Sequence, residues 1–230
     1  MGVTQLLSLD IRAWNDVQDR IWACERCRSH SRVACDIRQK TEAPTQEVKL
    51  LLLGIAPPYV KGTTEKARAR SATNDPDDNL RKLFILATLP FPWESLLARG
   101  IFLIHSVKCA ITSKDRHQNP PNEVVDACAP PHFVEEFKLI RPPRVVAFGK
   151  VPYRALLKVP GVRAPKGLGV STPVATLVEK TRGGLEIQAA GWRFSVHVSP
   201  FPLGGQKPNP LAQEVLREAA QLSGILHGTG

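Results

Sequence analysis

A chain of 230 residues, 43% hydrophobic and 23% charged, can bury a sizeable core, and no apolar run approaches the roughly 18 residues that a membrane span needs. These values exclude disordered, fibrous and membrane-spanning chains, and the opening MGVTQLLSLDIRAW lacks the basic, apolar and small-residue order of a secretory leader. The expectation is one soluble, cytoplasmic domain over residues 1–230, whose net charge of +10 suits a polyanion, nucleic acid first, although a basic but unspecialised surface fits the charge alone.

The apolar residues Ile11, Trp14, Val17, Ile21 and Trp22 share a face, which predicts a helix between residues 10 and 27. Residues 28–47 are polar and hold no clear period. Residues 48–54, VKLLLLG, read as a buried parallel strand, followed by IAPPY and a long loop rich in Thr, Arg, Asn and Asp, of a kind that is often functional. Leu80, Leu83, Phe84 and Ala87 predict a helix over residues 80–89, and residues 101–107 a second buried strand. A polar loop over 113–122 leads into a helix through Glu123, Val124, Ala127 and Cys128, renewed over 133–139. A third strand is expected at 144–149, a helix from 151 to 157, a fourth strand at 192–197 and a last helix at 210–222. Between them, the glycine-rich stretch 161–191 holds two short candidate strands, at 173–178 and 185–189. Strands alternating with helices predict an α/β fold with a mostly parallel central sheet covered on both faces.

In such sheets, ligands gather beyond the carboxyl ends of the strands, because the loops splay apart there. Four segments end at that edge: residues 54–59, 105–109, 149–150 and 197–205. Gly54 lets a backbone approach a ligand closely, although an ordinary turn reads the same way.

The five cysteines argue for metal or cluster binding, since a reducing compartment disfavours structural disulfides. Cys24 and Cys27 form a CxxC pair, and Cys109 and Cys128 follow. Four soft ligands suit an iron–sulfur cubane or a structural zinc, and their spacing does not separate the two; buried cysteines acting as small hydrophobes are the third reading. Cys35 reads as a bystander.

Taken in order, CxxC, a strand ending in Gly54-Ile55-Ala56-Pro57, Val107-Lys108-Cys109, NEVVDAC, RPPRVVAFG and His197-Val198-Ser199 resemble the iron–sulfur uracil-DNA glycosylases, over most of the chain. The resemblance implies a three-layer α/β/α sandwich, a [4Fe–4S] cluster on Cys24, Cys27, Cys109 and Cys128, and a monomer that hydrolyses the N-glycosidic bond of uracil or a related deaminated base in DNA. It also implies a base pocket of Gly54, Ile55, Ala56, Tyr59 and His105. Ile55 stands where the family-four pattern has a carboxylate, so the acid is expected later, as in the family-five pattern: Asp75 in Thr73-Asn74-Asp75, with Asp78 as the fallback. His105 stands where the family has an Asn that reads the base edge, and Tyr59 is the substitute for a stacking Phe.

His197 is assigned by the resemblance to donate to the departing base, while Asp75 stabilises the sugar cation and orients water. Without it, a hydrogen-bonded structural histidine is the ordinary reading of His197. Ser199, Phe201, Leu203 and Lys207 would contact DNA, with Phe201 or Leu203 as the wedge that fills the gap left by a flipped nucleotide. Lys61, Lys66, Arg68 and Arg70 either track phosphate or form a solvated loop. A fold that keeps DNA binding and loses catalysis is the second expectation, and a zinc-stabilised nucleic-acid-binding protein the third.

Overall fold

A computed structural model describes residues 9–38, 41–57, 78–89, 92–112, 119–201, 203–204 and 207–226. Helix α1 (Ile11–Trp22) starts where the Asp10 carboxylate accepts the amide of Ala13 at 3.0 Å, an N-cap that satisfies one of the free amides of the first turn. It buries Trp14, Val17, Gln18 and Ile21 and leaves the polar face to solvent.

Strand β1 (Val33–Arg38) follows, then β2 (Leu50–Gly54), α2 (Asp78–Leu86), α3 (Trp93–Leu97), β3 (Ile101–His105) and β4 (Cys109–Ile111). A continuous helical stretch runs through α4 (Asn122–Cys128), a π turn at Ala129–Phe133 and α5 (Val134–Ile140). After it come β5 (Arg144–Phe148), α6 (Lys150–Leu156), α7 (Val174–Lys180), β6 (Leu185–Ala189), β7 (Trp192–Ser199), the two-residue strands β8 (Leu203–Gly204) and β9 (Lys207–Pro208), and α8 (Pro210–Leu222).

The central sheet has the order β3-β2-β5-β7-β6, with the first four strands parallel and the edge strand β6 antiparallel. Leu50 to Leu53 are wholly buried, as a strand covered on both faces requires. In-register pairing sorts the side chains, because successive residues of a strand point to opposite faces. Leu51, Phe102, Val145 and Val196 lie on the face covered by α1 and α5, where Trp14 meets Phe102 edge-on at 6.0 Å and Phe137 meets Phe194 at 5.1 Å. Leu52, Leu103, Val146 and His197 lie on the other face, toward α8, whose Leu222 carbonyl accepts from Arg144 at 3.0 Å. The expected three layers of helix, sheet and helix are therefore present.

Three local expectations change. Residues 173–178 form the start of a helix, since Val174, Leu177 and Val178 are spaced i, i+3, i+4, and Leu177 and Val178 are buried. Residues 28–47 contain β1, whose partner is the three-residue β4, in an antiparallel ladder too short to show a period. Short α3 was also unforeseen.

Candidate functional site

At the carboxyl edge of the parallel strands, Gly54 and His105 stand side by side in register, with Phe148 and Ser199 continuing the same row on the α8 face. Neighbouring strands lie about 4.8 Å apart, so Gly54 and Ser199 are separated by about 10 Å across this row. The loop after β2 is held by β3: the Ser106 amide donates to the Gly54 carbonyl, the Val107 amide to that of Ile55, both at 2.9 Å, and the Ser106 hydroxyl faces the same two carbonyls at 3.1 and 2.9 Å. Ser106 thus staples the pocket wall and was missed in the sequence, where it reads as one more strand residue.

A side chain at position 54 would displace His105. A Cβ there would fall 2.7 Å from Cδ2 and 3.0 Å from Nε2 of His105, so the imidazole leans across the space a side chain would fill. Burial pushes His105 down to about 3, and the nearby Lys108 ammonium adds to the effect. At neutral pH it is an uncharged imidazole with one donor and one acceptor, the equipment needed to read the edge of a base.

His197 lies on the same α8 face of the sheet. It lies two residues before the end of β7, one row below the edge, and its Nε2 would be 3.1 Å from a Cβ at Gly184, on the side of the edge strand β6. The ring is 1% exposed, and neither nitrogen has a hydrogen-bond partner among the described residues. Burial pulls it down to about 4, with Glu218 opposing and Arg144 adding.

The other expected site residues divide between placed and undescribed. Ile55 and Ala56 are half-buried at the mouth of the β2 loop. Ser199 is buried on the row, its hydroxyl donating to the Pro200 carbonyl at 2.9 Å, and Phe201 projects from the following loop, 45% exposed. Asp75, Tyr59, Lys61, Lys66, Arg68 and Arg70 lie outside the described residues, as do the side chains of Asp78, Leu203 and Lys207. No carboxylate stands on the edge row among the described residues. A cavity of about 80 Å³ between residues 42–48 and 97–102 lies at the opposite, amino-terminal edge and is smaller than a small-molecule pocket needs.

The cysteines gather from three segments. Cys24 and Cys27 follow α1, Cys109 opens β4 and Cys128 ends α4; all but Cys24 are buried, and Cys35 on β1 joins them, its Sγ 3.8 Å from that of Cys109. Burial pushes Cys128 up to about 12; the Lys108 amide, donating to its Sγ at 3.2 Å, and the Lys108 ammonium oppose, and Cys27 and Cys24 add. Cys27 is raised by burial and then by Cys35 and Cys24, with Arg26 opposing. The CxxC loop thus lies within electrostatic reach of the end of α4.

Among the described residues no three His, Cys, Asp or Glu side chains converge as ligands of a single ion. Donor chemistry nevertheless fits a polynuclear group: several thiols, mostly dry, with a backbone N–H aimed at one sulfur, and a cubane holds its thiolates farther apart than one ion does. Beneath them, Lys108 and Glu136 form a fully buried ion pair, Glu136 also accepts from Gln18 Nε2 at 2.7 Å, and Gln18 accepts the Thr41 amide at 2.7 Å. Lys108 is thereby committed to the core and is not a nucleophile at the edge.

Among known proteins, the uracil DNA glycosylase superfamily is the family whose model matches this chain, over residues 41–218. That stretch contains the edge row, Cys109 and Cys128 and leaves out Cys24 and Cys27. A type-5 uracil-DNA glycosylase of Pyrobaculum aerophilum is 28% identical over 186 residues, covering 77% of this chain and 74% of that protein.

Proposed function

The chain belongs to the uracil DNA glycosylase superfamily, and on that premise we propose that it is a monofunctional DNA glycosylase, hydrolysing the N-glycosidic bond of uracil or a related deaminated base. The observation that carries the reading is the strand-edge row, where a neutral His105 leans over Gly54 beside a wall held by Ser106. Glycosidic cleavage builds positive charge on the sugar and negative charge on the departing base, so fixed donors near the base and an anion near the sugar lower the barrier. The base must first leave the stack, because its atoms are out of reach inside a duplex. Gly54, Ile55, Ala56 and Tyr59 would enclose the flipped base and His105 would meet its edge. Asp75 is the anion and water-orienting group. His197 is the expected donor to the base carbonyl, reaching up from one row below the edge. Ser199, Phe201, Leu203 and Lys207 would follow the DNA, with exposed Phe201 as the wedge.

Cys24, Cys27, Cys109 and Cys128 would hold a [4Fe–4S] cluster. The resemblance of the ordered cysteine motifs to those of the iron–sulfur uracil-DNA glycosylases favours it over zinc. Bound, it supplies structural cross-linking of the CxxC loop, β4 and α4, since base hydrolysis requires no electron.

A second reading, a DNA-binding module without catalysis, draws on Ile55 and His105, which stand where the family has a carboxylate and an amide. Release of free base from labelled oligonucleotides carrying uracil, hypoxanthine or xanthine separates the two. The enzyme is expected to release uracil or a related base, and Asp75→Ala and His105→Ala to abolish release or reduce it by at least about 100-fold. Loss in His197→Ala as well keeps the donor at His197; a rate unchanged in that variant moves the role to His105. No release from any of the three by the wild type refutes the enzyme.

A further inference from the structure

Cys35 is the fifth thiol, one that the ligand set above leaves unused. The β1–β4 ladder pairs Val33 with Ile111 and Ala34 with Ala110, and then slips, so that the next partner of Cys109 is Arg38. Cys35 therefore opens a bulge beside Cys109, and bulged residues lack the ladder bonds that hold a strand rigid. The two Sγ atoms are in contact at 3.8 Å. A disulfide needs about 2.0 Å, so a closure of about 1.8 Å, spread over two side chains and a bulge, would join them. Both thiols are almost buried, 8% and 6% exposed, which admits a small oxidant in preference to a bulky one.

We propose that Cys35 and Cys109 are a modification site for peroxide, forming a disulfide whenever Cys109 is not held by the cluster. One thiol attacks hydrogen peroxide, giving a sulfenic acid and water. The other sulfur then displaces the sulfenic oxygen as a second water. The two thiols lose two hydrogens and two electrons, and the peroxide is reduced to two waters. The bond withdraws Cys109 from the ligands, so that cluster assembly waits on a thiol reductant. The bond rests on the sulfur contact alone, whereas its effect on assembly rests on the iron–sulfur reading.

The full chain, stripped of metal with a chelator under reducing, anaerobic conditions and freed of reductant, is treated with one equivalent of hydrogen peroxide. It is then mapped by mass spectrometry and offered iron and sulfide with and without dithiothreitol. The expected result is a loss of two hydrogens, a Cys35–Cys109 linked peptide absent from Cys35→Ser, and iron uptake that requires dithiothreitol in the wild type but not in Cys35→Ser. Absence of the linked peptide, or a dominant link from Cys109 to Cys24 or Cys27, overturns the proposal. So does failure of Cys35→Ser to take up iron when the reduced wild type does, since Cys35 would then be a ligand. If the linked peptide forms but neither protein ever takes up iron and sulfide, the modification site stands, and it is the iron–sulfur reading that falls.

Discussion

Replacing Lys108 by methionine cuts one end of a polar chain that runs through the core. Lys108 and Glu136 are 1% and 0% exposed, and beyond their ion pair the Glu136 carboxylate has only the Gln18 amide, at 2.7 Å, as a second partner among the described residues. Methionine fills much of the volume but leaves the carboxylate with that one donor and no countercharge, a change that costs about 3–5 kcal/mol. Domains of this kind are stable by about 5–15 kcal/mol, so the loss takes a third or more of the total in a typical case. At a urea slope of about 3 kcal/mol per molar, the unfolding midpoint should fall by about 1 to 2 M, followed by tryptophan fluorescence with cofactor content matched between proteins. The double variant Lys108→Met/Glu136→Leu removes both charges and strands only the neutral Gln18 amide, at about 1–3 kcal/mol, and should be more stable than Lys108→Met alone. An unchanged midpoint in the single variant, or a double variant less stable than the single, would refute the account of this pair as a buried charge held by its partner.

Gly54→Ala sets a methyl group 2.7 Å from His105 Cδ2, and the imidazole, at the end of a side chain, yields more readily than the strand; base release should fall toward that of His105→Ala while the thermal midpoint moves little, and a full rate would mean that the ring's place is irrelevant. Ser106→Ala removes the hydroxyl from the Gly54 and Ile55 carbonyls but leaves both backbone bonds, so a loss of about 1 kcal/mol is expected in chemical denaturation, and one above about 3 would mean that the staple holds more than this loop. For His197 the folded value, about 4, lies below the ordinary 6.5, so its stabilising contribution is complete above pH 6.5 and is lost as the pH falls toward 4; at about 1.4 kcal/mol per pH unit the loss is bounded near about 3 kcal/mol. His197→Gln should flatten the acid side of the stability profile by up to that amount, and a profile parallel to wild type between pH 4 and 6.5 would show that the imidazole titrates freely in the fold.

Much of this architecture is local and therefore legible. Buried parallel strands are continuous apolar runs, which is why LLLL before Gly54 and VVAF before Gly149 mark the strands beside the site, and the last helix forms over the expected residues, Pro210–Leu222. The edge of the sheet, with Gly54 and His105 on it, followed from where those runs end. Tertiary structure decided the rest. Whether a histidine two residues from a strand end reaches the edge row depends on register with neighbouring strands, and that register sets Ser199 on the row and His197 beneath it. Cys35 looked incidental because its partner is 74 residues away, across a ladder too short to have a period. Lys108 follows β3 in the sequence, and only the fold shows that Glu136, 28 residues on, pairs with it in the core. A sequence states which residues are apolar and in what rhythm, but the meeting of two polar side chains in a dry interior depends on chain crossings that no local rhythm encodes.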